Sequence, residues 1–229
     1  LYPAISAKPE KSLEAITNLL KSEEPVKWLF TGDSITHGAL HTYGMRDYVQ
    51  IFEERVRYEF ARGRDVVIKT GVSGWQSQTI LDDIDCNILQ YKPQVVSIMI
   101  GMNDATQGCD YLDKFTANCN SIIDQIQEKT GAIVILHTTN PIPAGGDPCR
   151  EPALPYVNER IRSITQQRNL ILIDHYEYWT KSWEQNSLKI LQWTDDPIHP
   201  NDFGHKAMAK LMFKELGIWD ENTICCSTL

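Results

Sequence analysis

Five short apolar runs, separated by stretches of helical periodicity, set the framework of the chain: 26–30, 66–69, 95–100, 132–136 and 170–174. Their length and their β-branched and aromatic content predict strands. The run 95–100 is almost wholly apolar, as expected of a strand covered on both faces. Between the runs, apolar residues recur at helical spacing. Leu13, Ile16, Leu19 and Leu20 predict a helix over 10–21, and Val49, Phe52, Val56 and Phe60 predict one over 47–62 that ends near Gly63. Ser77 has the chemistry to cap a helix carrying Ile80, Leu81, Ile84 and Ile88 on one face. Phe115, Cys119, Ile122, Ile123 and Ile126 mark a long helix over 112–129, with Gly131 as its stop. A helix is expected over 156–168, a mixed and partly helical stretch over 176–191, and a final helix over 202–216 that packs through Ala207, Met208, Leu211 and Met212. Residues 1–8 read as a loose arm. The segment 140–155, with its prolines and the Gly145-Gly146 pair, reads as the longest loop, walling a pocket or covering the domain.

Strands alternating with helices predict a three-layer α/β/α fold around a mainly parallel five-stranded sheet. A chain of 229 residues with 42% hydrophobic content is long enough for one buried core, so a single domain over 1–229 is expected. The formal net charge of -8, with no basic stripe, argues against nucleic acid as a partner. No run reaches the roughly 18 apolar residues of a membrane span. The chain begins at Leu1 rather than Met, which fits a removed leader and a secreted or periplasmic location. Its six cysteines form an even set compatible with disulfides, but CxxC pairs and metal-like Cys/His spacings are absent.

Polar chemistry gathers at the ends of the predicted strands, where ligands bind in open α/β sheets. Gly32-Asp33-Ser34 follows the first run, and Gly71-Val72-Ser73-Gly74-Trp75 follows the second. Gly101-Met102-Asn103-Asp104 follows the third, and Asp196-Pro197-Ile198-His199 precedes the last helix. Alone, each has an ordinary reading: Asp, Asn and Ser form turns and caps, and a histidine on a proline-rich turn is usually solvated. Together they supply a hydroxyl, a base and amide donors. A serine hydroxyl needs an adjacent base to take its proton, and a histidine can do so and then return the proton to a leaving alcohol. Asp196 is spaced to hold the imidazole, with Asp195 as the competing carboxylate. Asp33 and Asp104 read as structural acceptors of backbone N–H groups. His37 and His41, four apart, have metal-ligand spacing on a helical face but no evident third ligand, so no metal and no cofactor are expected. His137, His175 and His205 have no motif context and read as surface or satisfied core residues.

In register across residues 31–200, these four blocks resemble those of the SGNH hydrolases, the GDSL esterase/lipase family, with Ile35 in place of the leucine of the family label. The resemblance implies a flavodoxin-like sheet of strand order 2-1-3-4-5 in a single domain: arm and helix over 1–25, core over 26–217, tail over 218–229. It also implies a metal-independent serine esterase with Ser34 as nucleophile, His199 as general base and Asp196 orienting it. The N–H of Ser34, Gly74 and Asn103 would form the oxyanion hole. An ordinary histidine base predicts activity rising through about pH 6 to 7.

Trp75, Met102, Tyr43 and Trp193 lie near the motifs as candidate substrate contacts, and no long apolar lid segment is present. These features favour a small acyl ester as substrate, foremost an acetylated glycan. The alternatives are a lysophospholipase or thioesterase of the same family, and a non-catalytic carbohydrate-binding or scaffold domain. Retention of every catalytic residue type argues against the last.

Overall fold

Leu29 and Val96 pair at the centre of the sheet and are both fully buried, whereas Val66 on an outer strand is 48% exposed. The computed structural model describes residues 10–38 and 40–229, so the arm expected over 1–8 lies outside the described residues. The strands are β1 (Lys27–Gly32), β2 (Val66–Lys69), β3 (Val95–Met99), β4 (Ile133–His137) and β5 (Ile171–Ile173). They form an all-parallel sheet in the order β2-β1-β3-β4-β5. All strand ends of one polarity therefore lie along one edge, with β1 and β3 adjacent at its middle.

Helices α1 (Glu10–Lys21), α2 (Ser34–His37), α3 (Tyr48–Glu54), α4 (Ser77–Asp82) and α5 (Ile84–Asn87) precede β3. After it come α6 (Leu112–Thr130), α7 (Leu154–Arg168), α8 (His175–Gln185), α9 (Leu188–Trp193), α10 (Asp202–Glu215) and α11 (Ile224–Ser227). The chain moves one way across the sheet from β1 to β2 and the other way from β2 to β3 to β4 to β5. Right-handed crossovers then place α3 on one face and α4, α6 and α7 on the other. The packing agrees: α3 lies against α10, and α6 lies between α4 and α7.

Two helices depart from their sequence patterns. The helix expected over 47–62 stays α-helical only to Glu54 and then widens into a π turn over Arg55–Glu59, where Phe60 N–H donates to Arg55 O. At that turn the buried Arg55 guanidinium donates to Ile218 O at 2.9 Å and to Thr223 Oγ1 at 2.8 Å. The helix expected after Ser77 divides at Asp83 into α4 and α5. Gln76, not Ser77, holds the cap position, because the Ser77 N–H and hydroxyl both donate to the Asp104 carboxylate. The six cysteines are free thiols, Cys119, Cys225 and Cys226 buried and the others exposed. No helix among the described residues is long and apolar enough to cross a membrane.

His137, His175 and His205 are all buried beneath the strand ends. His137 Nε2 lies 2.7 Å from Ser97 Oγ, His137 Nδ1 lies 3.0 Å from His175 Nε2, and His205 Nδ1 accepts from Tyr48 N–H at 3.4 Å. Burial draws all three below the usual imidazole range, His175 to about 3 and His205 to about 4. They fold in the neutral form, so below pH 6.5 the unfolded chain binds the extra protons. The stability they allow above that pH is therefore lost on descent towards pH 4. Asp33 and Asp104 act in the opposite sense over the same range, because burial raises both carboxyls. A comparison of variants isolates one group. In His205→Asn, the unfolding free energy measured in urea is expected to fall less steeply between pH 6.5 and 4, by up to one proton, about 1.4 kcal/mol per pH unit. A slope equal to that of the native chain would show that His205 takes up its proton without unfolding.

Candidate active site

Gly32 ends β1 at φ 152°, where a Cβ would lie 2.0 Å from Met99 O of the neighbouring strand. Only a residue without a side chain lets β1 run this close to β3 at the point where the chain leaves the sheet. Asp33 follows as the N-cap of α2, its Oδ1 accepting from Ile35 N–H at 3.0 Å, and Ser34 is the first helical residue. Ser34 Oγ lies 2.9 Å from His199 Nε2. His199 Nδ1 lies 2.8 Å from Asp196 Oδ2. A carboxylate only accepts, so the Nδ1–H donates to Asp196 and Nε2 is left as acceptor for the Ser34 hydroxyl.

The segment carrying the imidazole is closed on itself. Asp196 Oδ1 accepts from the N–H groups of Ile198 and His199, both at 2.7 Å, and Asp195 N–H donates to His199 O at 2.9 Å. Thr194 and Pro200 form an antiparallel bridge at its base. Burial pushes the Asp196 carboxyl up, but the bonds from the His199 ring and from two backbone N–H groups outweigh it and hold the acid below its ordinary value. Burial draws His199 down, Asp196 opposes that, His41 and Arg150 add to it, and the imidazole rests below 6.5.

Asp195, the competing carboxylate, is engaged elsewhere. Its Oδ2 lies 2.7 Å from His41 Nδ1 and its Oδ1 accepts from the Tyr43 hydroxyl. The His41 ring stacks on that of His199, with centroids 3.8 Å apart and planes within 2° of parallel. α2 ends at His37 with Gly38 in the left-handed region, so His37 and His41 share no helical face. His37 turns instead to Ser73, 3.1 Å away. His41, Asp196 and His199 bring one potential metal-ligand atom each within 4.8 Å of one another, a grouping that the His37/His41 spacing did not predict.

The glycine and asparagine blocks are joined to this edge by direct bonds. Val72 N–H donates to Gly32 O at 3.0 Å, and Gly74 follows at φ 85°. The Asn103 amide donates to Trp75 O at 3.0 Å, and Gln76 Nε2 donates to Asn103 O at 3.0 Å. Asn103 Oδ1 accepts from Arg150 Nη2 at 3.1 Å, and Arg150 is also paired with Asp147 at 2.5 Å. Arg150 comes from the long loop before α7 and was not singled out by the sequence. Its charge reaches both Asp33 and His199. Burial pushes the Asp33 carboxyl up to about 7, against the Ile35 N–H bond and with Asp104 adding to the rise.

The expected substrate contacts separate into two groups. Tyr43 is 75% exposed and Trp75 half-buried. Met102 is fully buried and belongs to the core, which removes it from the rim. The Trp193 ring is stacked on Tyr178 and meets Trp179 edge-on, with Lys189 over it, so its faces serve packing rather than a pocket mouth.

Residues 30–207 match the model of the GDSL-like lipase/acylhydrolase family. An acetylxylan esterase of Geobacillus stearothermophilus is 26% identical over 215 residues, covering 83% of this chain and 94% of that protein. An uncharacterized protein of Mycoplasma pneumoniae is 30% identical over 138 residues, which are 58% of this chain and only 14% of that much longer protein. Among solved structures, that of the acetylxylan esterase Axe2 from Geobacillus stearothermophilus superposes with a TM-score of 0.70 at 24% identity, covering 84% of this chain and 94% of that one.

Asp104 organises this edge from below, its carboxylate accepting from Ser77 N–H at 3.0 Å and from Ser77 Oγ at 2.5 Å, both buried. Asp104→Ala strips two buried donors of their acceptor and is expected to lower the unfolding free energy by about 1 to 3 kcal/mol. Equilibrium urea denaturation measures it; a loss within error of zero would mean that the two donors find another acceptor.

Proposed function

Because the chain belongs to the GDSL-like lipase/acylhydrolase family and is a carboxylic ester hydrolase, we propose that it removes short acyl groups, foremost O-acetyl, from a carbohydrate, with Ser34 as nucleophile. The observation that carries this reading is the continuous relay from Ser34 Oγ through His199 to Asp196, at 2.9 and 2.8 Å. As Ser34 Oγ attacks the acyl carbon, its proton passes to His199 Nε2, and Asp196 steadies the resulting imidazolium. The oxyanion takes hydrogen bonds from the N–H of Ser34, the N–H of Gly74 and the Asn103 amide. Collapse of the intermediate expels the alcohol, which takes the proton from His199. Water, deprotonated by the same ring, then releases the acid from Ser34. Arg150 serves as a positioning residue. By donating to Asn103 Oδ1 it fixes which end of the carboxamide carries hydrogens towards the oxyanion.

Two facts support the substrate class. The relative that matches along most of its length is named an acetylxylan esterase. The exposed Tyr43 ring, held by its hydroxyl on Asp195, offers an aromatic face suited to a sugar ring beside the imidazole pair.

A p-nitrophenyl ester series from acetate to palmitate tests the acyl preference. The rate is expected to be highest at acetate and to vanish in Ser34→Ala. A rise in kcat/KM towards palmitate would favour a lysophospholipase or thioesterase, and no hydrolysis at any length would favour a binding domain. Loss of an oxyanion donor in Asn103→Ala is expected to cost about 2.7 to 4 kcal/mol in the barrier, a fall of roughly two to three orders of magnitude in kcat. Near-native kcat would remove Asn103 from the role. His199 must be neutral to accept a proton, and burial draws it below its ordinary value. Activity should therefore rise with pH through a midpoint below 6.5, earlier than an unperturbed histidine would give. A midpoint above 7 would exclude His199 as the base in this environment.

A further inference from the structure

Two Asp–His pairs lie one over the other at this site. Consecutive carboxylates serve them: Asp196 holds His199 and Asp195 holds His41, at 2.8 and 2.7 Å, each through the Nδ1 of its partner. The two rings are parallel to within 2° at 3.8 Å. The upper pair is itself anchored, since the Tyr43 hydroxyl donates to the second oxygen of Asp195. Asp195 N–H bonds to His199 O, so the carboxylate that sets His41 is fixed relative to the residue on which His41 rests.

Resting on the esterase reading above, we infer that His41 is a positioning residue for His199. Its ring is the wall that keeps the imidazole in the plane shared by Ser34 and Asp196, and it bears on the charge that imidazole takes up.

The argument is steric first. An imidazole joined to the backbone through one methylene rotates about two bonds, and it stays productive only while Nε2 faces Ser34 and Nδ1 faces Asp196. Its two hydrogen bonds lie within the ring plane and resist tilting weakly. A flat group against the face resists tilting directly, and a misplacement of an ångström at a reacting atom costs orders of magnitude in rate. The electrostatic part follows from the same contact. The charged or titratable groups that face His199 are Asp196 beside Nδ1, His41 on its face, Arg150 from the long loop, and His205 from α10. Those that face His41 are Asp195, Asp196 and His199. Across 3.8 Å the His41 ring is among the groups that lower His199, which keeps His199 available as a base to lower pH.

Two variants separate the effects. His41→Ala removes the wall and the imidazole; His41→Phe restores a flat ring without the ring nitrogens or the bond to Asp195. On p-nitrophenyl acetate, His41→Ala is expected to lower kcat about tenfold with KM unchanged, and His41→Phe to recover to within about threefold of native. The protonation of His199, followed by NMR of its ring in the absence of substrate, is expected to move to higher pH by about 0.5 unit in both variants. A role confined to folding would move neither the split between kcat and KM nor the ring titration. If His41→Ala does not fold, His41→Phe carries the test through the titration. A His199 titration unchanged in the folded variants overturns the proposal, as does native kcat in His41→Ala. Because the titration needs no substrate, a native chain without Ser34-dependent hydrolysis overturns the esterase reading alone, while the ring shift still decides the role of His41.

Discussion

A single imidazole has one donor and one acceptor nitrogen, and here both are committed at once, to groups 165 and 3 positions away in sequence. That double commitment is the constraint on which the rest of the site rests. The near partner is arranged locally. Asp196 spends one oxygen on two backbone N–H groups of its own turn, which leaves the other aimed at Nδ1. The distant partner requires the whole fold. Ser34 reaches Nε2 because β1 occupies the middle of the sheet, because Gly32 lets the chain leave that strand against β3, and because Asp33 begins a helix at once.

Burial sorts the histidines into those that can exchange a proton and those that cannot. His137, His175 and His205 lie within the protein with no carboxylate among the described residues hydrogen-bonded to their rings, and each is held neutral. His199 is only partly buried, 18% exposed at the side chain, and its carboxylate partner offsets part of the cost of charging it. An imidazole proposed to gain and lose a proton in each cycle needs this middle ground. Beneath it, burial raises both Asp33 and Asp104, Asp104 adds to the rise at Asp33, and Arg150 is a cation that faces Asp33. The same guanidinium bonds the Asn103 carboxamide, so one side chain links the charge balance under the hydroxyl to the proposed oxyanion donor.

The strands and most of the helices were legible because their information is local: apolar runs between glycines, and apolar residues three and four apart. The π turn after α3 was not, because nothing near Arg55 in sequence announces Ile218 O and Thr223 as its partners. The absence of a Ser77 cap shares that cause, since Asp104 claims Ser77 from another strand end. The four motif blocks were legible as blocks, but their surroundings were not. Met102 and Trp193 sit near motifs in sequence and pack inward in space. His41 and Arg150 lie outside every motif and meet its residues directly. The Asp195-Asp196 doublet was a signal of sorts, read as a competition for one histidine when the structure gives each carboxylate its own.

Residues 138–153 have no regular structure, yet they brace both halves of the site. The Asn140 amide donates to Ile198 O at 3.0 Å, and Gly146 lies so near Pro197 that a Cβ there would approach the proline Cβ to 2.8 Å. Those contacts press on the turn that carries His199. A few residues on, Arg150 holds Asn103. A loop with this much backbone freedom positions a site only if it is tied down along its length. The ties are present: Asp147 binds Arg150, and Glu151 accepts from the N–H groups of Gly145 and Asp147. The alternatives the sequence left open for this segment, pocket wall or surface cover, therefore give way to a third, in which the loop is a strut between the His199 turn and the Asn103 carboxamide. On that account the spacing between His199 and Asn103 is set by the internal bonds of this loop as much as by the sheet, and disturbing them would act on both groups together.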